Sequence, residues 1–178
     1  KNEKVKVVYW DGVFNYSDIN NFGASFAGGE YLLLLNNDTE VINGDWLEEM
    51  LGYCMRKDVG IVGARLYYAD DTIQHAGVVM GFGGIAGHCF VQQPRYSGGY
   101  FNRVICAQNY SAVTAACMMV KQSVFDEVGG LSSVLAVAFN DIDFCLKVRE
   151  QEYLVCYNPY VVAYHYESKS RGSEDSLE

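Results

Sequence analysis

Two prolines in 178 residues are too few for long disordered linkers. Basic residues are also scarce: thirteen Lys and Arg stand against twenty-two Asp and Glu, a formal net charge of −9. No basic stripe breaks that acidity, which argues against a nucleic-acid backbone as a partner. An anionic ligand then needs a metal ion or a few local cations to carry the contact. No two of Cys54, Cys89, Cys106, Cys117, Cys145 and Cys156 have CxxC spacing. Most sit in apolar stretches and read as buried free thiols of a reducing cytosol. There is no signal-peptide pattern. The longest nearly apolar run, Val78 to Val91, is interrupted by His88 and several glycines and is too broken to span a bilayer.

What remains is ample for a core. Half of the residues are hydrophobic, with fourteen Tyr and nine Phe. The length suits one compact domain, taken as residues 1–170, followed by a flexible tail at 171–178. The chain opens mid-stream at KNEKVKVVYW and closes on SEDSLE, whose Leu177-Glu178 pair resembles a cloning remnant. It reads as a piece of a longer protein.

The pattern along the chain is that of an α/β domain. Val5 to Tyr9 is β-branched and predicts a strand. Ser17 is a candidate N-cap for a helix with Ile19, Phe22 and Phe26 on one face, ended by Gly28 and Gly29. Tyr31 to Leu35 is continuous and apolar, as in a strand buried on both faces. Asp45 and Glu48 have capping-box spacing before a helix whose inner face is Trp46, Leu47, Met50, Leu51 and Cys54. Gly60 to Leu66 predicts another strand. Alternation of this kind implies a mainly parallel sheet flanked by helices, with ligands at the carboxyl ends of its strands.

Residues 67–112 are rich in Gly, Tyr and Gln and predict loops and short strands, a lid or acceptor-side wall. Further on come a strand at Tyr110–Val120, a short helix capped by Ser123, and a helix at Phe139–Glu150. Two strands, Tyr153–Tyr157 and Val161–Tyr164, are expected to be split by Pro159.

Three constellations bear on chemistry. LLLLNND, residues 32–38, ends an apolar strand on Asn36, Asn37 and Asp38. Oxygen donors of that kind suit Mg²⁺ or Mn²⁺, although a plain Asn-Asp turn looks the same. In FNDID, Asp141 and Asp143 lie roughly 200° apart around a helix, so one is a candidate general base and the other a cap. In YHYESKSRG, His165 follows the last strand, and Lys169 and Arg171 could hold phosphate oxygens or merely solvate a tail. Gly81, Gly83 and Ala86 match a dinucleotide fingerprint, but Pro94 and the nearby Gly pair deny it a helix. His75, His88, His165 and the cysteines lack zinc-like spacing.

Taken in order, NNDTEV, DWLEEM, VGIVGARLYY, TIQHAGVV, AVTAACMMV, FDEVGG, LAVAFNDIDFCLKVRE and HYESKSRG resemble family 2 glycosyltransferases of the GT-A fold. The nearest likeness is to the rhamnosyltransferase-like enzymes of bacterial surface polysaccharide synthesis. The resemblance implies an inverting, metal-dependent transferase. Its donor would be a nucleotide-diphosphate sugar, UDP- or dTDP-linked. Its acceptor would be a saccharide or lipid-linked saccharide, and its place the cytoplasm or the inner face of the cell membrane. It sets the DxD-like motif on Asn36, Asn37 and Asp38, beside which Lys169 and Arg171 stay candidate donor-binding residues by their charge alone. Asp38 and His165 become the ligands of Mg²⁺ or Mn²⁺, and Asp141 the catalytic base. Asn36 stands in place of the first Asp of that motif, Asn140 in place of a Glu, and Leu131-Ser132-Ser133 departs from the usual segment. Members of the family begin with a nucleoside-binding strand and acidic turn, which here would precede Lys1. The expectation is therefore an N-terminally truncated domain with little activity of its own and with open sheet edges that invite self-association. The competing expectation is a non-catalytic carbohydrate- or nucleotide-binding module, or an inactive fragment of a larger transferase.

Overall fold

In a computed structural model, residues 5–166 are described. Lys169, Arg171 and the tail at 171–178 lie outside them. The elements run α1 (Tyr16–Ala24), β1 (Tyr31–Leu35), β2 (Thr39–Val41), α2 (Trp46–Cys54), β3 (Val59–Tyr67), β4 (Ile73–His75), β5 (Val78–Met80), β6 (Ala86–His88), β7 (Gln108–Asn109), β8 (Cys117–Lys121), α3 (Gln122–Glu127), α4 (Asn140–Glu150) and β9 (Leu154–His165).

The main sheet follows the order β1-β8-β3-β9-β2, with β4 on β3 and β7 on β9. It is a mixed sheet flanked by helices. β3 and β9 pair in parallel over most of their length, while β8 pairs antiparallel with both β1 and β3. β1, β3 and β9 therefore share one direction, and their carboxyl ends meet at one edge. The expected neighbours β1 and β3 are not adjacent, because β8, from far along the chain, inserts between them.

Both sheet faces are covered, which is why the strands read as unbroken apolar runs. Leu32 and Leu34 of β1 point into one core with Phe144, Cys145 and Val148 of α4. Tyr31 and Leu33 point to the other face, where Met50 and Cys54 of α2 pack on Val62, Leu66 and Cys117. A sheet with a helix layer on each face can deliver polar side chains only at its edges and strand ends.

Several local expectations are corrected. Residues 5–9 form no strand, since none of the described strands pairs with them, and a lone β-branched run has no ladder to join. The cap of α1 is Asn15, whose side chain accepts from the Asp18 N–H; Ser17 is buried and donates to the Leu135 carbonyl. Phe26 lies beyond that helix, exposed, in edge contact with Phe22. Asp45 precedes α2, but its carboxylate accepts from Asn43 and caps nothing. The 110–116 stretch is no strand: Ala112 bridges to Val78, and Ala115 turns toward α4. α3 begins at Gln122, with Lys121 in the cap position, so Ser123 is interior.

Pro159 does not split β9. Pairing with β3 jumps from Ala64–Asn158 to Arg65–Val162. Buried Asn158 spans the bulge, accepting from the Tyr160 N–H and donating to the Glu49 carbonyl. A proline without an N–H is tolerated there because the ladder has already stepped around it. The Gly81–Gly84 stretch caps the β5–β6 hairpin, with Gly81, Gly83 and Gly84 in left-handed backbone that favours glycine. The departing Leu131-Ser132-Ser133 segment is where α1 docks. Asn21 exchanges two hydrogen bonds with Leu131, and Asn15 and Asp18 hold Ser133.

Candidate active site

A cleft of about 1060 Å³ opens at the shared carboxyl edge of β1 and β9. Asn36, Asn37, Asp38, Asp141 and His165 all line it, so the structure brings together every candidate that falls within the described residues. The turn after β1 sets the first three: the Asn36 N–H bonds to the Ala116 carbonyl, and the Thr39 N–H bonds back to the Asn36 carbonyl. β2 then pairs with the end of β9, Thr39 facing His165, and the Tyr166 N–H donates to the Asp38 carbonyl. A register of this kind holds residues 38 and 165 side by side although 127 positions separate them.

The hydrogen bonds around His165 are consistent with one tautomer. The Asn36 amide nitrogen lies 3.1 Å from Nε2, so Nε2 accepts. Nδ1 therefore carries the proton and donates to Gln74 Oε1 at 2.8 Å. Gln74 also donates to the His165 carbonyl, clamping backbone and ring together. With Nδ1 fixed by Gln74, the Nε2 lone pair has a set direction, the arrangement metal-binding histidines use, and an ion taking it would displace the Asn36 N–H.

That lone pair faces a carboxylate. His165 Nε2 is 3.2 Å from Asp38 Oδ1, and Oδ1 is buried with no hydrogen-bond partner. The contact is an ion pair when the ring carries a proton on Nε2, and without that proton both atoms can reach one cation. Two cis ligands of an octahedral ion, each at about 2.1 Å, stand about 3.0 Å apart. The pair therefore fits Mg²⁺ or Mn²⁺. Among the described residues no third His, Cys, Asp or Glu completes a cluster. This suits an ion that takes one or two protein ligands and fills its remaining positions with phosphate oxygens and water.

Asp141 sits in the first turn of α4. Phe139, in left-handed backbone (φ 61°, ψ 4°), ends the preceding loop and starts the helix abruptly at Asn140. Each Asp141 oxygen accepts one backbone N–H, Oδ1 from Ile142 at 2.9 Å and Oδ2 from Ala115 at 3.3 Å. These bonds aim the carboxylate at the cleft and leave each oxygen further accepting capacity. Asp143 turns away, paired with Lys147 one helical turn on at 3.5 Å. Asn140, standing where a Glu was expected, is buried, and its amide donates to the Leu135 carbonyl, which a carboxylate could not do.

Among the described residues no Lys or Arg lines the cleft. Lys169 and Arg171 lie outside those residues. Gln74, His88, Thr114 and Phe139 also line the cleft and were not singled out as site residues. They come from the loop-rich middle of the chain and from a helix start, where neither periodicity nor spacing marks a ligand-facing side chain. The one available signal was the Gln-His pair at 74–75, just before the apolar run that ends at Met80.

The profile of glycosyl transferase family 2 matches residues 1–129. The chain is similar to an uncharacterised protein, y4gI, of Sinorhizobium fredii, at 52% identity across 98% of this chain and 19% of that protein. It is also similar to the O-antigen biosynthesis protein RfbC of Myxococcus xanthus, at 38% identity across 93% of this chain and 13% of that protein. The chain thus spans under a fifth of either relative. Two solved structures share its fold. GalNAc-T7 with UDP, GalNAc and Mn²⁺ superposes with a TM-score of 0.65 at 11% identity, over 86% of this chain and 30% of the other. The Pyrobaculum calidifontis mannosyltransferase PcManGT with GDP-Man and Mn²⁺ gives 0.65 at 16% identity, over 94% and 40%.

Proposed function

The chain belongs to glycosyl transferase family 2, and from that premise we propose that its cleft is the catalytic centre of an inverting, metal-dependent glycosyltransferase. The donor is a nucleotide-diphosphate sugar, the acceptor a saccharide or lipid-linked saccharide, and the product part of a bacterial surface polysaccharide. One observation carries the reading. Asp38, His165 and Asp141 converge on a cleft that no Lys or Arg lines among the described residues. A diphosphate placed there meets two carboxylates, and a divalent ion between them would neutralise the repulsion.

Asp38 Oδ1 and His165 Nε2 are the atoms that would hold Mg²⁺ or Mn²⁺. When bound, the ion neutralises charge on the leaving diphosphate. Gln74 fixes the imidazole through Nδ1, and the Asn36 amide now on Nε2 is the one group that would move aside for the ion. Asp141 takes the proton of the acceptor hydroxyl. That oxygen attacks the anomeric carbon, and the glycosyl–phosphate bond breaks with its electron pair leaving on the diphosphate. A single displacement inverts the anomeric centre. The Ala115 and Ile142 N–H groups hold Asp141 in position for the transfer. Six free cysteines, four of them buried, fit a protein that works in the reducing cytoplasm.

The test is transfer by the full-length protein from a panel of nucleotide sugars with Mn²⁺, alongside Asp141→Asn. The variant should lose about 10²- to 10⁴-fold in kcat. Unchanged transfer by Asp141→Asn would remove that residue from the base role. Donor binding without any transfer would favour a binding module instead.

A further inference from the structure

Behind the wall of the cleft, His75 on β4 is wholly buried and faces His88 on β6. The two Nδ1 atoms are 3.1 Å apart, and the rings meet edge to face with centroids 4.8 Å apart. The Thr114 N–H donates to His75 Nε2 at 3.4 Å. Burial, with His88 and His165 adding to it, holds His75 well below the ordinary histidine value, so it is neutral. These facts set the tautomers in turn. His75 Nε2 accepts, so its single proton is on Nδ1. That proton goes to His88 Nδ1, which therefore accepts. The proton of His88 is then left on Nε2, on the far side of the ring from His75. His88 is half-buried and lines the cleft, and no described residue takes that proton.

We propose that His88 Nε2–H is a fixed hydrogen-bond donor that holds a hydroxyl oxygen of the sugar carried on the nucleotide diphosphate. This rests on the transferase reading and adds to it the group that recognises the sugar. His88 lines the same cleft as Gln74, Asp38 and His165 but makes no contact with the metal-binding pair, which leaves it for the sugar rather than the diphosphate. The chemistry agrees: a neutral imidazole that can only donate suits an uncharged hydroxyl oxygen, whereas the diphosphate end is served by Asp38 and His165.

Two measurements test it. Long-range ¹H–¹⁵N spectra of the ¹⁵N-histidine-labelled chain should show the Nε2–H tautomer at His88 and the Nδ1–H tautomer at His75; the reverse at His88 overturns the inference. Calorimetric binding to the full-length protein with Mg²⁺ then compares UDP and GDP with UDP-glucose, dTDP-rhamnose and GDP-mannose. His88→Leu should weaken whichever sugar nucleotide binds by about tenfold while leaving the bare diphosphates unchanged. His88→Asn, which keeps an N–H donor, should recover part of that loss. Asp38→Asn should weaken both classes. Equal weakening of sugar nucleotides and bare diphosphates by His88→Leu, or none, overturns the role of His88 alone. No binding of any nucleotide to the unmodified protein overturns the transferase reading with it.

Discussion

Asp38→Asn should make the metal-free chain more stable and the metal-loaded chain less so. The Asp38 side chain is 41% exposed overall, yet its Oδ1 is buried, lacks a donor, and lies 3.2 Å from the unprotonated Nε2 of His165. Asparagine in that position removes a buried carboxylate oxygen without a donor from its contact with Nε2, whose single lone pair Asn36 already satisfies. Relieving such an unsatisfied buried acceptor contributes about 1 kcal/mol. In a domain of this size about 1 kcal/mol moves the midpoint by roughly 2–4 °C. In EDTA the variant should therefore melt a few degrees above the unmodified chain. With Mn²⁺ and UDP the order should reverse. Saturation at a hundred times Kd stabilises the native state by about 2.7 kcal/mol, and the variant, lacking a charged ligand atom, forgoes most of it. Thermal unfolding of both proteins in the two buffers measures all four midpoints. A variant that melts below the unmodified chain in EDTA, or that gains as much from Mn²⁺ and UDP, would refute the reading of Asp38 and His165 as a cation site held at a cost in stability.

Three further outcomes follow from the same coordinates. Because His75 is held neutral in the fold, the unfolded chain binds more protons below its ordinary value of about 6.5. Stability is then full above that pH and falls as pH drops through the window below it, by at most about 1.4 kcal/mol per pH unit; urea midpoints from pH 7.5 to 5.5 should show the fall, and His75→Gln should flatten it. A methyl group at Gly63 would sit 2.5 Å from Val113 Cβ, so Gly63→Ala should cost about 1–3 kcal/mol. Val113→Ala in the same chain should relieve part of that cost, and strictly additive urea midpoints would rule out the clash. Of the six thiols, Cys106 is exposed, whereas burial raises Cys54 and Cys156 to about 11, Cys117 to about 12 and Cys145 further still. A thiol reagent at pH 8 should therefore label Cys106 first and the four buried cysteines only after unfolding; rapid labelling of three or more in the native chain would contradict the packing.

Much of this protein was readable without coordinates. The apolar runs at 31–35 and 59–67, the second broken only by Arg65, reflect burial on both sheet faces, a local demand that composition records directly. Asp141 and Asp143 had to part company because two positions along a helix cannot face one way, and they do. Cap positions were less readable. Ser17 and Ser123 have capping side chains, but the chain enters those helices from elsewhere, and Asn15 and Lys121 take the place. The 5–9 run shows the limit most plainly, since a strand is defined by its neighbour and a sequence carries no record of which neighbour is present.

The sequence by itself determined which residues could do chemistry: an Asn-Asn-Asp turn after a buried strand, an acid at a helix start, a histidine after the last strand. Those are consequences of local pattern, since side-chain type and periodicity act over a few residues. Only the tertiary structure decided that they meet. β8 inserts between β1 and β3, β1 and β9 share a direction, and the β2–β9 register sets Asp38 against His165. Protonation was decided the same way. Whether His165 offers a lone pair or His88 a proton depends on Asn36, Gln74, His75 and Thr114, brought there by pairing between distant segments whose free energy no short window of sequence contains.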